Sequence, residues 1–117
     1  ILDNYCPKLK EKDILLITSK ILAIHQGLCL PINSVKSKDD LIKKESDVFI
    51  PRKECPGEYV ILTVKNNTLI PSAGIDESNA NGHYILWPKD SEKEAKTICN
   101  YLKKKFSIKK TYIQYAG

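Results

Sequence analysis

Hydrophobic positions in the first third of the chain form one short continuous run and then a spaced pattern. The run at residues 14–18 predicts a strand that is covered on both faces. Ser19 follows at once and predicts the cap of a short helix that stops at Gly27. Residues 1–10 have roughly helical spacing, which predicts the remains of a helix limited by Pro7.

A second amphipathic pattern predicts a helix over residues 38–49. Ser37 can cap it, and Asp39 and Asp40 suit the positive end of the helix dipole. Pro51 cannot continue a helix. The pattern therefore predicts a helix that reaches residue 49.

Two apolar runs with a polar turn between them predict a hairpin. Residues 59–64 are rich in β-branched side chains, residues 65–68 suit a turn, and residues 69–73 predict the second strand. Pro71 favours a strand end or a sheet edge, because proline has no amide hydrogen to donate. Residues 74–82 are polar and predict a loop.

The last third of the chain has the clearest helical period. Apolar residues recur at i, i+3, i+4, i+7 and i+11 over residues 91–106, and Ser91 and Glu94 have the spacing of a capping box. Residues 111–115 predict a final strand. Together these elements predict an α+β fold, a mixed α/β sheet with flanking helices, in which residues 1–117 form a single domain or a fragment of one.

Composition narrows the class of protein. The 117 residues are 42% hydrophobic and 28% charged, as in ordinary globular domains. No apolar run approaches the ~20 residues of a membrane span, so we expect no membrane partner and a cytoplasmic location. The four cysteines lack paired spacing, which predicts reduced thiols. The chain has no methionine, and we expect further residues before Ile1.

A net charge of +5 suits an anionic partner. The densest lysines, at 103–105, 109 and 110, sit at the end of the predicted last helix, where cations complement the helix dipole. Nucleic acid is therefore not the favoured partner. A noncatalytic binding domain that recognises an anionic partner such as nucleic acid stays open as the alternative function.

Candidate chemistry concentrates in the loop at residues 73–82. The Asp76 carboxylate is a hard ligand suited to magnesium or manganese, and the Asn79 amide can donate to a nucleotide oxygen. The competing interpretation is a polar turn whose side chains satisfy their own backbone.

A second candidate lies where the first strand meets the first short helix. Ser19 and Lys20 could bind phosphate there, although no glycine-rich phosphate loop is present and a helix cap with a surface lysine is the alternative. His25 and His83 belong to no recognisable catalytic arrangement. The sequence therefore leaves the catalytic residues unidentified.

Residues 13–21 and 73–79 resemble two signature blocks of the coenzyme F-420:L-glutamate ligase (gamma-glutamyl ligase) family. The resemblance extends to about Ile113, and residues 81–88 resemble most the members proposed to glutamylate folate. Ile24 stands where many members have a second lysine, which also favours the folate-like branch.

The resemblance implies a nucleotide- and metal-dependent ligase that joins a substrate carboxylate, folate-like or deazaflavin, to the amine of L-glutamate through an acyl phosphate. Ser19, Lys20 and Asn79 would bind the nucleotide, GTP or ATP, and Asp76 would bind Mg²⁺ or Mn²⁺. Family members are often homodimers. The family's further nucleotide and metal segments do not match this sequence, so we expect residues 1–117 to lack activity by themselves.

Overall fold

The computed structural model describes residues 1–116. They form two compact units: unit 1 comprises Ile1–Leu22 with the residues from Lys89 onward, and unit 2 comprises Ala23–Pro88. The assignment of the chain to a single domain or domain fragment stays a prediction.

Within residues 1–116, four helices and seven strands succeed one another. The helices are α1 (Leu2–Tyr5), α2 (Ser19–His25), α3 (Lys38–Glu45) and α4 (Ser91–Phe106). The strands are β1 (Ile14–Thr18), β2 (Cys29–Pro31), β3 (Val48–Ile50), β4 (Leu62–Lys65), β5 (Thr68–Pro71), β6 (His83–Ile85) and β7 (Tyr112–Ala116). Short 3₁₀ turns fill several connections. The predicted α+β class is confirmed.

Unit 1 is built on a parallel pair of strands from opposite ends of the sequence. Strand β1 pairs with β7 from Ile14 opposite Tyr112 to Thr18 opposite Ala116. The Thr111 hydroxyl donates to the Asp13 carbonyl at 2.9 Å, which fixes the register where the strands begin. Helix α4 packs against β7 and buries Leu102 completely.

The predicted burial of β1 on both faces is wrong. Ile14 is 61% exposed and Leu16 is 62% exposed, whereas the alternate residues Leu15 and Ile17 are half-buried. Successive side chains of a strand point to opposite faces, so one face of β1 is covered and the other is open. The continuous apolar run did not reveal which face was covered.

Helix α4 confirms the predicted bounds but not the predicted cap. Its N-cap residue is Asp90, in a left-handed conformation at φ 49°, and no side chain caps the helix. Ser91 is the first helical residue, so the Ser91 and Glu94 capping box does not form. The helix ends at left-handed Ser107, whose neighbour Ile108 donates its amide to the Lys103 carbonyl.

Unit 2 contains two antiparallel sheets and α3. Strands β3, β4 and β5 form one sheet, and β2 pairs with β6 in the other. The buried core consists of aliphatic and aromatic side chains from α3, the two sheets and the segments beside them. Its members are Leu41, Ile42, Ile61, Ala73, Ile75 and Tyr84.

The helix predicted over residues 38–49 is shorter in the structure. Ser37 accepts the Asp40 amide at 3.1 Å, as expected of the cap, but α3 ends at Glu45. Residues 48–50 instead form β3, because these β-branched and aromatic residues pair with β4. Asp47 fixes this pairing: its amide donates to the Val64 carbonyl at 2.8 Å.

The predicted hairpin is confirmed as β4 and β5. Its turn residues Asn66 and Asn67 have φ of 50° and 60°, the left-handed values that asparagine tolerates in a tight hairpin turn. The Asp47 carboxylate accepts the Asn66 amide at 2.8 Å and steadies the turn. Pro71 ends β5 at the edge of the sheet, as its missing amide requires.

Residues 59–61 precede β4 and lie outside the strand that was predicted to contain them. The Arg52 guanidinium donates to the carbonyls of Glu58 and Tyr59 at 3.1 and 2.9 Å. It also donates two hydrogen bonds to the Asp39 carboxylate, at 2.6 and 2.9 Å. These carbonyls are thus bound to a side chain rather than to a neighbouring strand. Among residues 1–116, no helix is long and apolar enough to cross a membrane.

Candidate functional site

Ser19 and Lys20 lie together at the carboxyl end of β1. Both are half-buried, and they open α2 directly after the point where Thr18 pairs with Ala116. Ligands of parallel sheets bind at the carboxyl ends of the strands, so the location suits a nucleotide phosphate. Helix α2 has only seven residues and contributes a short dipole, so the Lys20 ammonium is the main positive group of this pair.

The helix cap belongs to Thr18 and not to Ser19. The Thr18 hydroxyl accepts the amide of Ile21 at 3.4 Å, and Ser19 is already helical. The prediction that Ser19 caps α2 is therefore wrong by one residue. The Ser19 hydroxyl does not serve as the cap, which suits its predicted contact with a nucleotide.

A left-handed turn introduces the loop that carries Asp76. Ser72, Ala73 and Gly74 have φ of 54°, 51° and 71°, and such values are unfavourable for residues other than glycine. Buried Thr63 holds the turn: its hydroxyl donates to the Ile70 carbonyl and accepts the Ala73 amide at 2.8 Å. The turn sets the direction in which the chain leaves β5.

Asp76 is fixed through both its main chain and its carboxylate. Its amide donates to the Ile85 carbonyl at 2.9 Å, and the Ile85 amide returns a bond to the Asp76 carbonyl at 2.7 Å. Oδ1 accepts the Ser78 amide at 2.8 Å and the Ser78 hydroxyl at 2.7 Å. The self-satisfied turn that competed with the metal interpretation does form, and it orients the carboxylate.

The remainder of the Asp76 loop is tied to α3 and to its own main chain. Lys38 Nζ lies 2.8 Å from Glu77 Oε1, and the amide of His83 donates to the Ala80 carbonyl at 3.1 Å. Asn79 is exposed in this loop at φ 53°, so it projects from the turn rather than into the core.

The Asp76 loop fits one class of metal site. Within residues 1–116, no group of three or more histidine, cysteine or acidic side chains converges to hold an ion. Mg²⁺ in nucleotide sites usually takes one or two carboxylates, with water and phosphate oxygens completing its shell. One oriented carboxylate suits that arrangement.

The structure brings the predicted site residues together as two pairs. Ser19 with Lys20 belongs to unit 1, and Asp76 with Asn79 belongs to unit 2. Sequence reasoning missed the supporting side chains, above all Ser78. The spacing of Ser78 two residues after an aspartate was an available signal for this kind of turn.

Comparison with known proteins identifies the family. The family model described as F420-0:gamma-glutamyl ligase matches residues 1–113. A search of curated proteins finds no match. The match covers both pairs of candidate residues and nearly the whole chain. The chain therefore belongs to the F420-0:gamma-glutamyl ligase family.

Proposed function

We propose that the protein takes part in nucleotide- and metal-dependent gamma-glutamyl ligation. Asp76 would bind Mg²⁺ or Mn²⁺, Asn79 the nucleotide, and Ser19 with Lys20 its phosphates. The observation that carries this proposal is the Asp76 carboxylate, held by two hydrogen bonds from Ser78 on a loop that is itself bonded to Ile85. A preorganised carboxylate could hold a divalent metal, which would supply positive charge beside the phosphates.

The reaction has two steps. An oxygen of the acceptor carboxylate attacks the γ-phosphorus of GTP or ATP, the bond to the β-phosphate oxygen breaks, and the nucleoside diphosphate leaves. The glutamate amine then attacks the acyl carbon of the acyl phosphate. A carbon–nitrogen bond forms, the carbon–oxygen bond to phosphate breaks, and the nitrogen loses a proton.

The residues of this chain supply charge and position in the first step. The Lys20 ammonium would attract the phosphates, and the amide of Asn79 would donate to an oxygen of the nucleotide. A divalent metal at Asp76 would neutralise the charge that develops on the transferred phosphoryl group. Positioning and charge neutralisation are the main demands of phosphoryl transfer.

We propose a folate-like acceptor in preference to a deazaflavin. Residues four apart share a face of a helix, so Ile24 lies one turn beyond Lys20 on α2 and is 50% exposed. That face therefore carries the aliphatic side chain of Ile24. The second lysine that many family members have at this position would instead offer an ammonium group to another phosphate. The resemblance of residues 81–88 to the folate-like branch points the same way.

The decisive test is the metal dependence of nucleotide binding, measured by calorimetry with GTP and with ATP. Asp76→Asn removes the charge but keeps an oxygen that accepts both Ser78 hydrogen bonds, so the loop is preserved. We expect binding that requires Mg²⁺ or Mn²⁺ and is lost in Asp76→Asn. Glu54→Gln, a change of the same charge at an exposed residue of unit 2, should bind as the unaltered protein does.

Nucleotide binding that ignores the metal, or that survives Asp76→Asn, would contradict the proposed role of Asp76. Ligation is then assayed with GTP, manganese, L-glutamate and a folate. A deazaflavin acceptor in the same assay tests the choice of acceptor.

A further inference from the structure

Charge is divided unequally between the two units. Unit 1 carries twelve lysines and six acidic residues, a net charge of +6, whereas unit 2 carries seven basic and eight acidic residues, a net charge of −1. The positive charge of the protein therefore belongs to unit 1. A local excess of this kind attracts anions from solution.

Four lysines of unit 1 are gathered where β1 and β7 begin. The amide of Lys12 donates to the Lys110 carbonyl at 2.8 Å, so the two turns before the strands are bonded to each other. Both turns are exposed. We name this group the lysine turns; its members are Lys10, Lys12, Lys109 and Lys110.

The acidic residues among the lysine turns are occupied by main-chain amides. Glu11 accepts the amide of Lys109 at 3.0 Å and also the amide of Lys110, and Asp13 accepts the amide of Lys10 at 2.7 Å. These bonds steady the turns while the lysine ammonium groups point into solvent. Lys12 keeps a left-handed conformation at φ 69°, where glycine or asparagine would be easier to accommodate.

The product of the proposed reaction is negatively charged, so its charge is opposite to that of the lysine turns. Each ligation consumes one acceptor carboxylate and the ammonium group of glutamate, and it retains both glutamate carboxylates. The product therefore carries one more negative charge than the acceptor. Repeated ligation gives a chain of carboxylates, which lysines attract as point charges without the paired geometry that arginine imposes. Unit 1 contains no arginine.

On the basis of the proposed function, we infer that the lysine turns bind the carboxylate tail of an oligo-γ-glutamyl product. They lie at the opposite end of β1 from Ser19 and Lys20, a span of about 16 Å for five residues at ~3.3 Å each. A γ-linked residue is longer than an α-linked one, so a tail of about three to five residues covers this span. A shorter tail would not extend from Ser19 and Lys20 to the lysine turns.

The test is direct binding of synthetic γ-glutamyl peptides of one to six residues, without nucleotide, measured as a function of salt. In the double variant Lys12→Gln with Lys110→Gln, the hydrogen bond between the turns is kept because it joins main-chain atoms. We expect affinity to rise with peptide length and to fall about fivefold for each lysine removed, the effect of one close ion pair in water.

The matched control replaces Lys36 and Lys53, two exposed lysines of unit 2, by glutamine and should leave peptide affinity unchanged. An oligonucleotide of equal charge forms the second arm. Equal losses in both double variants, no dependence on peptide length, or tighter binding of the oligonucleotide would each overturn the inference. Nucleotide binding at Asp76 is measured separately, so the proposed function and this inference can fail independently.

Discussion

The indole of Trp87 occupies the space that a side chain on Gly74 would need. A Cβ at residue 74 would lie 2.5 Å from Trp87 Cε3, and Gly74 also has φ of 71°. Two independent physical constraints thus require glycine at the turn before Asp76. The indole in turn covers the main chain of that turn.

Gly74→Ala should destabilise the protein by about 2–5 kcal/mol, the sum of a left-handed alanine and an overpacked contact. Chemical denaturation measures the change. Gly82→Ala is the matched control, because φ is 78° there and, apart from its chain neighbours, no atom of the described residues lies within 4 Å of its Cβ position. It should cost only about 1–2 kcal/mol. Equal losses in the two variants would show that the indole contact has no energetic weight.

Thr63 is the second support of the same turn. Thr63→Val keeps the shape of the side chain but leaves the Ala73 amide and the Ile70 carbonyl without their hydroxyl partner. A buried polar group without a partner costs about 1–3 kcal/mol, and the free energy of unfolding should fall by that amount. Thr97→Val, at an exposed position of α4, should change it by less than about 0.5 kcal/mol.

The two hydrogen bonds between the Arg52 guanidinium and the Asp39 carboxylate connect α3 to the segment that precedes β4. The Arg52 guanidinium holds the pKa of Asp39 below its ordinary value through hydrogen bonds and charge. Arg52→Lys cannot reproduce the paired contact and the two carbonyl bonds, so the midpoint of urea unfolding should fall. Lys96→Ala, which removes an exposed pair with Glu92, should lower it less. The reverse order would contradict this account.

The Glu11 carboxyl group makes the stability of unit 1 depend on pH. The amide of Lys109 and then that of Lys110 lower the pKa of its carboxyl group. The folded value lies below the unfolded one, so the stabilisation is complete above about pH 4.3 and is lost as pH falls through the folded value. Glu11→Gln should lose stability at pH 7, and its difference from the unaltered protein should shrink on acidification. A constant difference would exclude this linkage.

The sequence predicted those elements whose signals are local. The apolar period of α4 and the asparagine turn between β4 and β5 depend on neighbouring residues, and both were found at the expected places. The same kind of local signal gave the wrong prediction for residues 48–50, because their apolar spacing permits either a helix or a strand. Pairing with Val64 and its neighbours decides the outcome, and that contact is distant in sequence.

The same difference between local signals and contacts distant in sequence applies to the candidate site. Asp76 and Asn79 were identifiable from the polar composition of one loop, and the Ser78 hydrogen bonds are local enough to have been anticipated. The ion pair of Lys38 with Glu77 joins residues 39 positions apart, and no pattern in the sequence indicates it. Side-chain contacts across such separations depend on packing rather than on spacing.

The order in which the parts of this chain can fold follows from the pairing of β1 with β7. Thr111 bonds to Asp13 across 98 residues, whereas unit 2 is encoded by one uninterrupted stretch. Closing so long a loop has an entropic cost that the pairing with β7 must offset. During synthesis unit 2 is able to collapse early, and β1 has to wait until β7 has left the ribosome.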